Sequence, residues 1–289
     1  MPLTLCNAAE DWPLFLEICN RCLTFAPYTV PFTKRHVEEI FAPFAASQET
    51  LCLIGRDDSG KEGVVHISVP KDDKEFAVLH LLLADTNGVA HELLRQAESW
   101  AIELGVPLIR SHHLKLNPYH CLMHGTESYC WGGLYTARNA FARQGWDLEF
   151  DIVNMYLDMP SCPVAFDPAD PGTRLIEVDQ TEDALSVNGK FRVMRGETAL
   201  ASSGYTFHKE ISAQLGKGIG QLWIYSQNEI HGQGFGRQVM LEAHRKLYDL
   251  GARRIILATN NALFRAIKFY QNLGYEHELI HAYTFMKEL

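Results

Sequence analysis

The chain has 289 residues, of which 47% are hydrophobic and 21% charged, and its formal net charge is −9. That length accommodates two ordinary domains, and the composition is that of a globular protein rather than a disordered or fibrous one. The acidic balance excludes the basic footprint of a nucleic-acid binder, and no run approaches the roughly 18 apolar residues of a membrane span, so neither nucleic acid nor membrane is an expected partner.

The first residues, Met1-Pro2-Leu3-Thr4-Leu5-Cys6-Asn7, lack a basic segment followed by an apolar one, which reads as a cytoplasmic protein. The cysteines at 6, 19, 22, 52, 121, 130 and 162 are odd in number and scattered, which suits reduced thiols. Cys19-Asn20-Arg21-Cys22 is formally a C-x-x-C, but it lies in an apolar stretch, 12–25. There the thiols read as small hydrophobes on one helix face, with a redox or metal role as the rival.

Residues 50–56, 63–69 and 76–83 read as strands, 89–104 as a helix ended by Gly105, and 108–111 as a strand. A helix over 134–144, closed by Gly145, and a strand over 151–157 follow. Between them lies a segment with His112, His113, Asn117, His120, Cys121, His124, Tyr129, Cys130 and Trp131. His120 and His124, with Cys121 and Cys130 nearby, have types that can ligate zinc. Their spacing fits no standard site, and Pro118 and Gly125 interrupt a helix, so no metal is expected. A loop over a substrate cleft and a plain surface loop remain the other readings.

Pro160, Pro163, Pro168, Pro171 and Gly172 punctuate a stretch without sustained period. The expected organisation is therefore a domain over 1–160, a linker over 161–172 and a second domain over 173–289. Residues 1–160 hold 12 Lys and Arg against 21 Asp and Glu, whereas 161–289 hold 14 of each. The acidic first part reads either as a source of solubility or as an attraction for a cationic ligand.

In the second part, 190–195 and 199–208 read as strands joined by a hairpin loop, and 221–226 as a third. A helix over 237–250 ends at Gly251, followed by a strand at 255–259, a helix over 263–273 closed by Gly274, and a last strand at 283–286. This is a β-α-β unit. Placing Gly105 on Gly251 and Gly145 on Gly274 makes the two parts an internal repeat; two unrelated mixed domains are the alternative.

His231-Gly232-Gln233-Gly234-Phe235-Gly236 lies between a strand and a helix. Three glycines at alternate positions let backbone N–H groups and the positive helix end converge on one point, a nest for pyrophosphate, to which Arg237 adds a charge. As a bare spacing it is also compatible with a tight turn. It is neither a dinucleotide fingerprint nor a P-loop.

Ala266-Ile267-Lys268-Phe269-Tyr270-Gln271-Asn272-Leu273-Gly274-Tyr275 resembles the A-I-x-x-Y-x-x-x-G-F/Y signature of the GNAT (GCN-related N-acetyltransferase) superfamily. The glycine loop resembles that family's Q/R-x-x-G-x-G/A loop, and the match extends over about 190–289. The resemblance implies an α/β fold of two tandem GNAT-like domains, each a mixed, mostly antiparallel sheet flanked by helices. It implies an N-acyltransferase that moves an acetyl group from acetyl-CoA to a primary amine by direct attack. Backbone groups of Ile224 and Ser226 would hold pantetheine, His231, Gly232, Gln233, Gly234, Phe235, Gly236 and Arg237 the pyrophosphate, and Tyr270 would protonate the leaving thiolate. An aromatic filling the gap between helix and sheet is the other reading of Tyr270.

Two departures stand out. His231 occupies a position usually held by Gln or Arg. Leu263 stands where an Asn usually opens the second helix, with Asn261 just upstream as a pantetheine contact. No base is evident among Gly220 and Gln221; His208, Glu210, Tyr225 and solvent are the candidates.

Carrying the loop onto the first repeat gives Asp85-Thr86-Asn87-Gly88-Val89-Ala90, with one glycine and a repulsive carboxylate, and Phe141 falls opposite Tyr270. The first domain therefore reads as a degenerate repeat that does not bind CoA. The expected partner is a small-molecule or peptide amine, and a homodimer is compatible with this reading. A non-catalytic acyl-CoA sensor or scaffold is the alternative function.

Overall fold

The computed structural model describes all residues except 7–10, 25, 112–117, 120–121, 124–129, 132–133, 165–169, 171, 227–231 and 279–280. Two compact units result. The first comprises Met1–Val153, Asn260–Leu263 and Leu279–Leu289, and the second Asn154–Thr259 and Phe264–Glu278.

The first unit opens with β1 (Leu3–Leu5), α1 (Trp12–Cys22), α2 (Lys34–His36), a π-helical turn (Val37–Phe41) and α3 (Ala42–Ser47). Strands β2 (Gln48–Arg56), β3 (Glu62–Pro70) and β4 (Ala77–Ala84) follow, then α4 (Asn87–Glu103), β5 (Leu108–Arg110), β6 (Cys130–Trp131), α5 (Tyr135–Arg143) and β7 (Asp147–Asp158). β1 to β4 pair antiparallel in sequence order, and β5 joins β4 in parallel. Strands β3 and β4 are buried along almost their whole length, which is why they read as unbroken apolar runs. α4 forms because Val89, Ala90, Leu93, Leu94, Ala97 and Ala101 recur on one face and are buried there.

The second unit contains β8 (Arg174–Glu182), β9 (Ser186–Arg195), β10 (Thr198–His208), α6 (Lys209–Leu215), β11 (Ile219–Ser226) and α7 (Phe235–Asp249). It continues through β12 (Arg254–Asn260), α8 (Phe264–Asn272) and β13 (Glu276–His277), and the chain closes with β14 (Ala282–Glu288). β8 to β11 are antiparallel neighbours, and β12 joins β11 in parallel. α7 buries Val239, Met240, Ala243 and Leu247 against the sheet. The helices α4, α5, α7 and α8 all run out at a left-handed glycine: Gly105, Gly145, Gly251 and Gly274. The internal correspondence read from those glycines is thus present as a recurring order of strands and helices. Each unit is a mixed sheet flanked by helices.

The units depart from a linear division at 1–160, 161–172 and 173–289. β14 inserts between β5 and β7 of the first unit, with Met286 opposite Arg110 and Ala282 opposite Ile152. From Asn154 onward β7 instead belongs to the second unit, where Tyr156 faces Glu276. The segment expected as a linker falls within the second unit, tied by Asp170, whose carboxylate accepts from Arg195 at 2.7 Å. Burial explains the placement of β14: Ala282 and Thr284 are enclosed, and Phe285 stacks on Phe141 with ring centroids 4.7 Å apart.

Cys19 is fully buried on α1 and Cys22 lies beside it, half-buried. Burial pushes the Cys19 thiol well up and the Cys22 thiol to about 11, the reverse of a redox thiolate. The core reading of the C-x-x-C therefore stands. Among the described residues no helix is long and apolar enough to cross a membrane.

Removing the Phe285 ring should destabilise the first unit. Phe285→Ala is expected to cost about 3 kcal/mol, seen in chemical denaturation as a lower midpoint for near-UV signals from Trp146. A change below about 0.5 kcal/mol, the range of an inert surface substitution, would mean that β14 does not close this sheet.

Candidate functional site

β11 is paired along its full length on one side and only partly on the other. Its register with β10 runs from Ile219↔His208 to Ser226↔Ala201. Its parallel register with β12 comprises Ile219↔Arg254, Gly220↔Ile255 and Gln221↔Ile256, and nothing beyond among the described residues. Both strands continue, to Ser226 and Asn260, so they part at Gln221 and leave a gap lined by backbone. Trp223 turns its carbonyl towards β10, where Ser203 Oγ donates to it at 3.0 Å. By strand alternation the N–H and C=O groups of Ile224 and Ser226 face the gap.

The connection from β11 to α7 spans residues 227–234, and its last part carries two left-handed glycines, Gly232 (φ 85°) and Gly234 (φ 87°). Gly234 is the N-cap of α7 and supplies no side chain to close the helix end. Residues with a Cβ disfavour this conformation, so glycine lets the loop turn while its amides stay accessible. Gly236 lies in the first turn, where an added Cβ would come within 3.3 Å of Ile224 Cδ1. α7 therefore begins in close contact with the gap-lining strand. Phe235 is buried beneath this turn, Arg195 lies 5.9 Å from its ring centroid, and Arg237 and Gln233 are exposed. His231 and the Ser226 side chain lie outside the described residues.

Tyr270 is 6% exposed on α8 and packs on Phe269 at 5.6 Å and on Tyr275 at 5.9 Å between centroids. The Tyr275 hydroxyl meets His244 Nε2 of α7 at 2.8 Å. Burial lowers the His244 pKa to about 4, so the imidazole is neutral near neutrality, and burial together with Tyr270 pushes the Tyr275 phenol well up. This pair links α7 to the turn after α8 and holds the wall on which Tyr270 sits. The sequence reading passed over His244 because it falls on the apolar face of α7, among Met240, Ala243 and Leu247, where a histidine resembles a core residue.

Asn261 is bonded to β7. It belongs to the first unit, where its backbone N–H and its side-chain amide donate to the Asp151 carbonyl at 2.8 Å and to Asp151 Oδ2 at 2.9 Å. Its amide is thus committed to Asp151, which also meets His281 Nδ1 at 3.2 Å. Of the base candidates, His208 is buried with Nε2 2.9 Å from Gln221 Oε1 at the fork. Glu210 lies in the first turn of α6, and Tyr225 is 62% exposed on β11.

The matching positions of the first unit are differently filled. β4 and α4 are joined by Asp85 and Thr86 alone, too short a connection for a nest of amides. Thr86 Oγ1 accepts the Val89 N–H at 3.3 Å and so caps α4. Asp85 accepts from Arg21 at 3.0 Å and from the Glu62 N–H at 2.9 Å. Thr136 at the start of α5 donates to the Ala84 carbonyl at 3.0 Å, at the end of β4. Phe141 is buried between Trp146 and Phe285. Among the described residues no cluster of metal-ligating side chains occurs; the His112, His113, His120, Cys121 and His124 positions lie outside them.

Residues 193–275 match the family model described as Acetyltransferase (GNAT) family. No curated protein matches the chain in sequence. Among solved structures, a tandem GNAT protein from the clavulanic acid biosynthesis pathway is similar at TM-score 0.69 and 12% identity, over 99% of this chain and 98% of that one. A GCN5-related N-acetyltransferase from Sphaerobacter thermophilus is similar at TM-score 0.63 and 12% identity, over 99% and 95%. A glucosamine N-acetyltransferase region of a fungal multi-domain GH3 β-N-acetylglucosaminidase is similar at TM-score 0.70 and 13% identity, over 99% of this chain and 38% of that one. At such identities these likenesses establish the fold, which is the tandem GNAT arrangement over the whole chain.

The His244–Tyr275 pair gives a pH dependence with a defined sign. His244 is held near 4 when folded against an ordinary 6.5. Its contribution is complete above 6.5 and is lost as the pH falls through about 4, to a ceiling of about 3 kcal/mol. The comparison to make is denaturation of the native chain and of His244→Gln between pH 7 and pH 4. The variant should lose less stability over that window; an unchanged slope would remove His244 from this role.

Proposed function

From the GNAT domain that residues 193–275 carry, we propose that the chain is an acyl-CoA-dependent N-acyltransferase, with acetyl-CoA as donor and a primary amine as acceptor. The observation that carries this reading is the parting of β11 from β12 after Gln221, directly beside the glycine-capped start of α7. An extended arm with amide groups fits a gap lined by unpaired strand backbone, where the Ile224 and Ser226 groups complete hydrogen bonds that β12 does not. The amides of Gly232 to Arg237, at the positive end of α7, suit a pyrophosphate at the mouth of that gap. His231 and Gln233 belong to the same loop and to the same proposal.

Acetyl-CoA supplies the acyl group as a thioester. The neutral amine attacks the thioester carbonyl, the amide C–N bond forms as the C–S bond breaks, and the amine proton leaves to solvent. The Tyr270 hydroxyl gives its proton to the departing thiolate, a transfer between groups of comparable basicity. Enclosure on α8 beside Tyr275 limits the positions that hydroxyl can take. His208, turned to Gln221, is not needed as a base for an amine that sheds its proton to water.

The first unit is proposed not to bind nucleotide. A two-residue connection, a threonine already capping α4, and Asp85 at the helix mouth all oppose a pyrophosphate there. Asn261 is withdrawn as a pantetheine contact, because its amide is committed to Asp151.

The test is thiol release from acetyl-CoA across a panel of amines. Tyr270→Phe should lower kcat by about 100-fold while CoA affinity, read by calorimetry, changes little. Gly234→Val should instead abolish detectable CoA binding, because it forces a branched residue to φ 87°. Tight CoA binding without release for any amine would favour an acyl-CoA sensor, and no CoA binding at all would end both readings.

A further inference from the structure

The sheet of the second unit has two unlike faces. Gly220 and Gly236 fix one of them, since added Cβ atoms would meet Leu247 of α7 at 2.7 Å and Ile224 Cδ1 at 3.3 Å. Leu222 and Ile224 thus point with Gly220 towards α7, and strand alternation sends Gln221, Trp223 and Tyr225 to the opposite face. Towards α6 this face is filled, with Gln221, His208 and Ile219 buried, and among the described residues it opens at Trp223 and Tyr225. Trp223 is 46% exposed and Tyr225 62% exposed, unusual for large aromatics two residues apart on a central strand.

Trp223 is also held in place. A Cβ on Gly204, its partner on β10, would fall within the indole ring, so the ring lies flat on the strand. Lys190 Nζ stands 5.1 Å from the ring centroid. By register β8 and β9 place Arg174, Lys190 and Arg192 on the same face, where Asp179 meets Lys190 at 3.4 Å and Arg192 at 3.3 Å. The face is therefore a flat aromatic floor with a surplus of positive charge. It lies on the strand whose other edge borders the gap. A rigid indole on a glycine loses little freedom when a ring stacks on it, and the basic residues are complementary to an acidic group.

Resting on the acyl-transfer reading above, we infer that this face, centred on Trp223 and Tyr225, is the acceptor platform, and that it takes an amine borne on a sugar-like ring that can stack through its C–H face and also carries an acidic group. The positive charge of this face is local and opposite in sign to the acidic balance of residues 1–160. It replaces a general preference for cations by a preference for amines paired with an anion. Tyr225, proposed from sequence only as a base, becomes a second stacking surface.

The experiment is calorimetric titration of the full chain, without coenzyme, with glucosamine 6-phosphate, glucosamine and spermidine. These probes present a ring with an acid, a ring without one, and a linear polycation. Glucosamine 6-phosphate should bind at least about fivefold more tightly than glucosamine, and spermidine should not compete. Trp223→Ala should weaken it about tenfold or more, as the loss of one stacked ring does, and Lys190→Met should remove most of the phosphate advantage. Equal binding to the native chain and to Trp223→Ala, no binding of either sugar, or spermidine as the tightest probe would overturn the proposal. Tyr225→Ala, at a more exposed position, repeats the test with little demand on folding. Because the readout needs no thioester, sugar binding without thiol release would overturn the acyl-transfer reading and leave the platform.

Discussion

The second unit depends on an unequal treatment of one strand. β11 is saturated by β10 over eight residue pairs and abandoned by β12 after three. Unpaired strand backbone is costly when enclosed, and a fold that keeps such an edge open beside a helix start has set hydrogen-bonding capacity aside for something else. The remaining features follow the strand. Its gap-side groups come from Ile224 and Ser226, its inner side chains seat α7, and its outer side chains Trp223 and Tyr225 are exposed. One strand thus offers separate edges and faces to β10, to α7 and to the proposed site.

The first unit has the same order of strands and helices and treats each feature in the opposite way. Its strand-to-helix connection is two residues instead of eight, Thr86 takes up the amide that a phosphate would need, and Asp85 is held there by Arg21. Thr136 closes on the Ala84 carbonyl at the end of β4. Phe141 contributes only packing where Tyr270 carries a hydroxyl. Inside this unit His66 Nδ1 lies 2.7 Å from the Tyr119 hydroxyl, and Ser68 Oγ lies 2.8 Å from His80 Nε2. Burial lowers the His66 pKa to about 4, so this imidazole stays uncharged at neutral pH. Architecture is shared by the two units, and local chemistry separates them.

Much of this was legible from the residues. Helices with a regular apolar face, such as α4 and α7, and strands buried on both faces, such as β3 and β4, announce themselves through period and length. The glycines after the helices marked the correspondence between the units, because only a left-handed residue ends a helix in that way. Other features depended on partners distant in the chain. Nothing local in residues 282–288 says that they pair with β5 and β7 rather than with the strands just before them; burial of Phe285 against Phe141 decides it. The bond from the Asn261 amide to Asp151 is hidden for the same reason, since the two are 110 residues apart. The strand β8 has little signature of its own, because its residues are all exposed or half-exposed and carry little apolar alternation. The tie between His244 and Tyr275 joins a helix to a turn and has no signature in either segment alone.

The proposed CoA site joins the parted edge of β11 to the start of α7. Amide hydrogen exchange of the full chain with and without CoA tests it most directly. Added CoA should slow exchange at residues 222–226 and 232–237 and leave 77–90 unchanged. Protection confined to β4 and α4, or none along β11 at saturating CoA, would contradict the account.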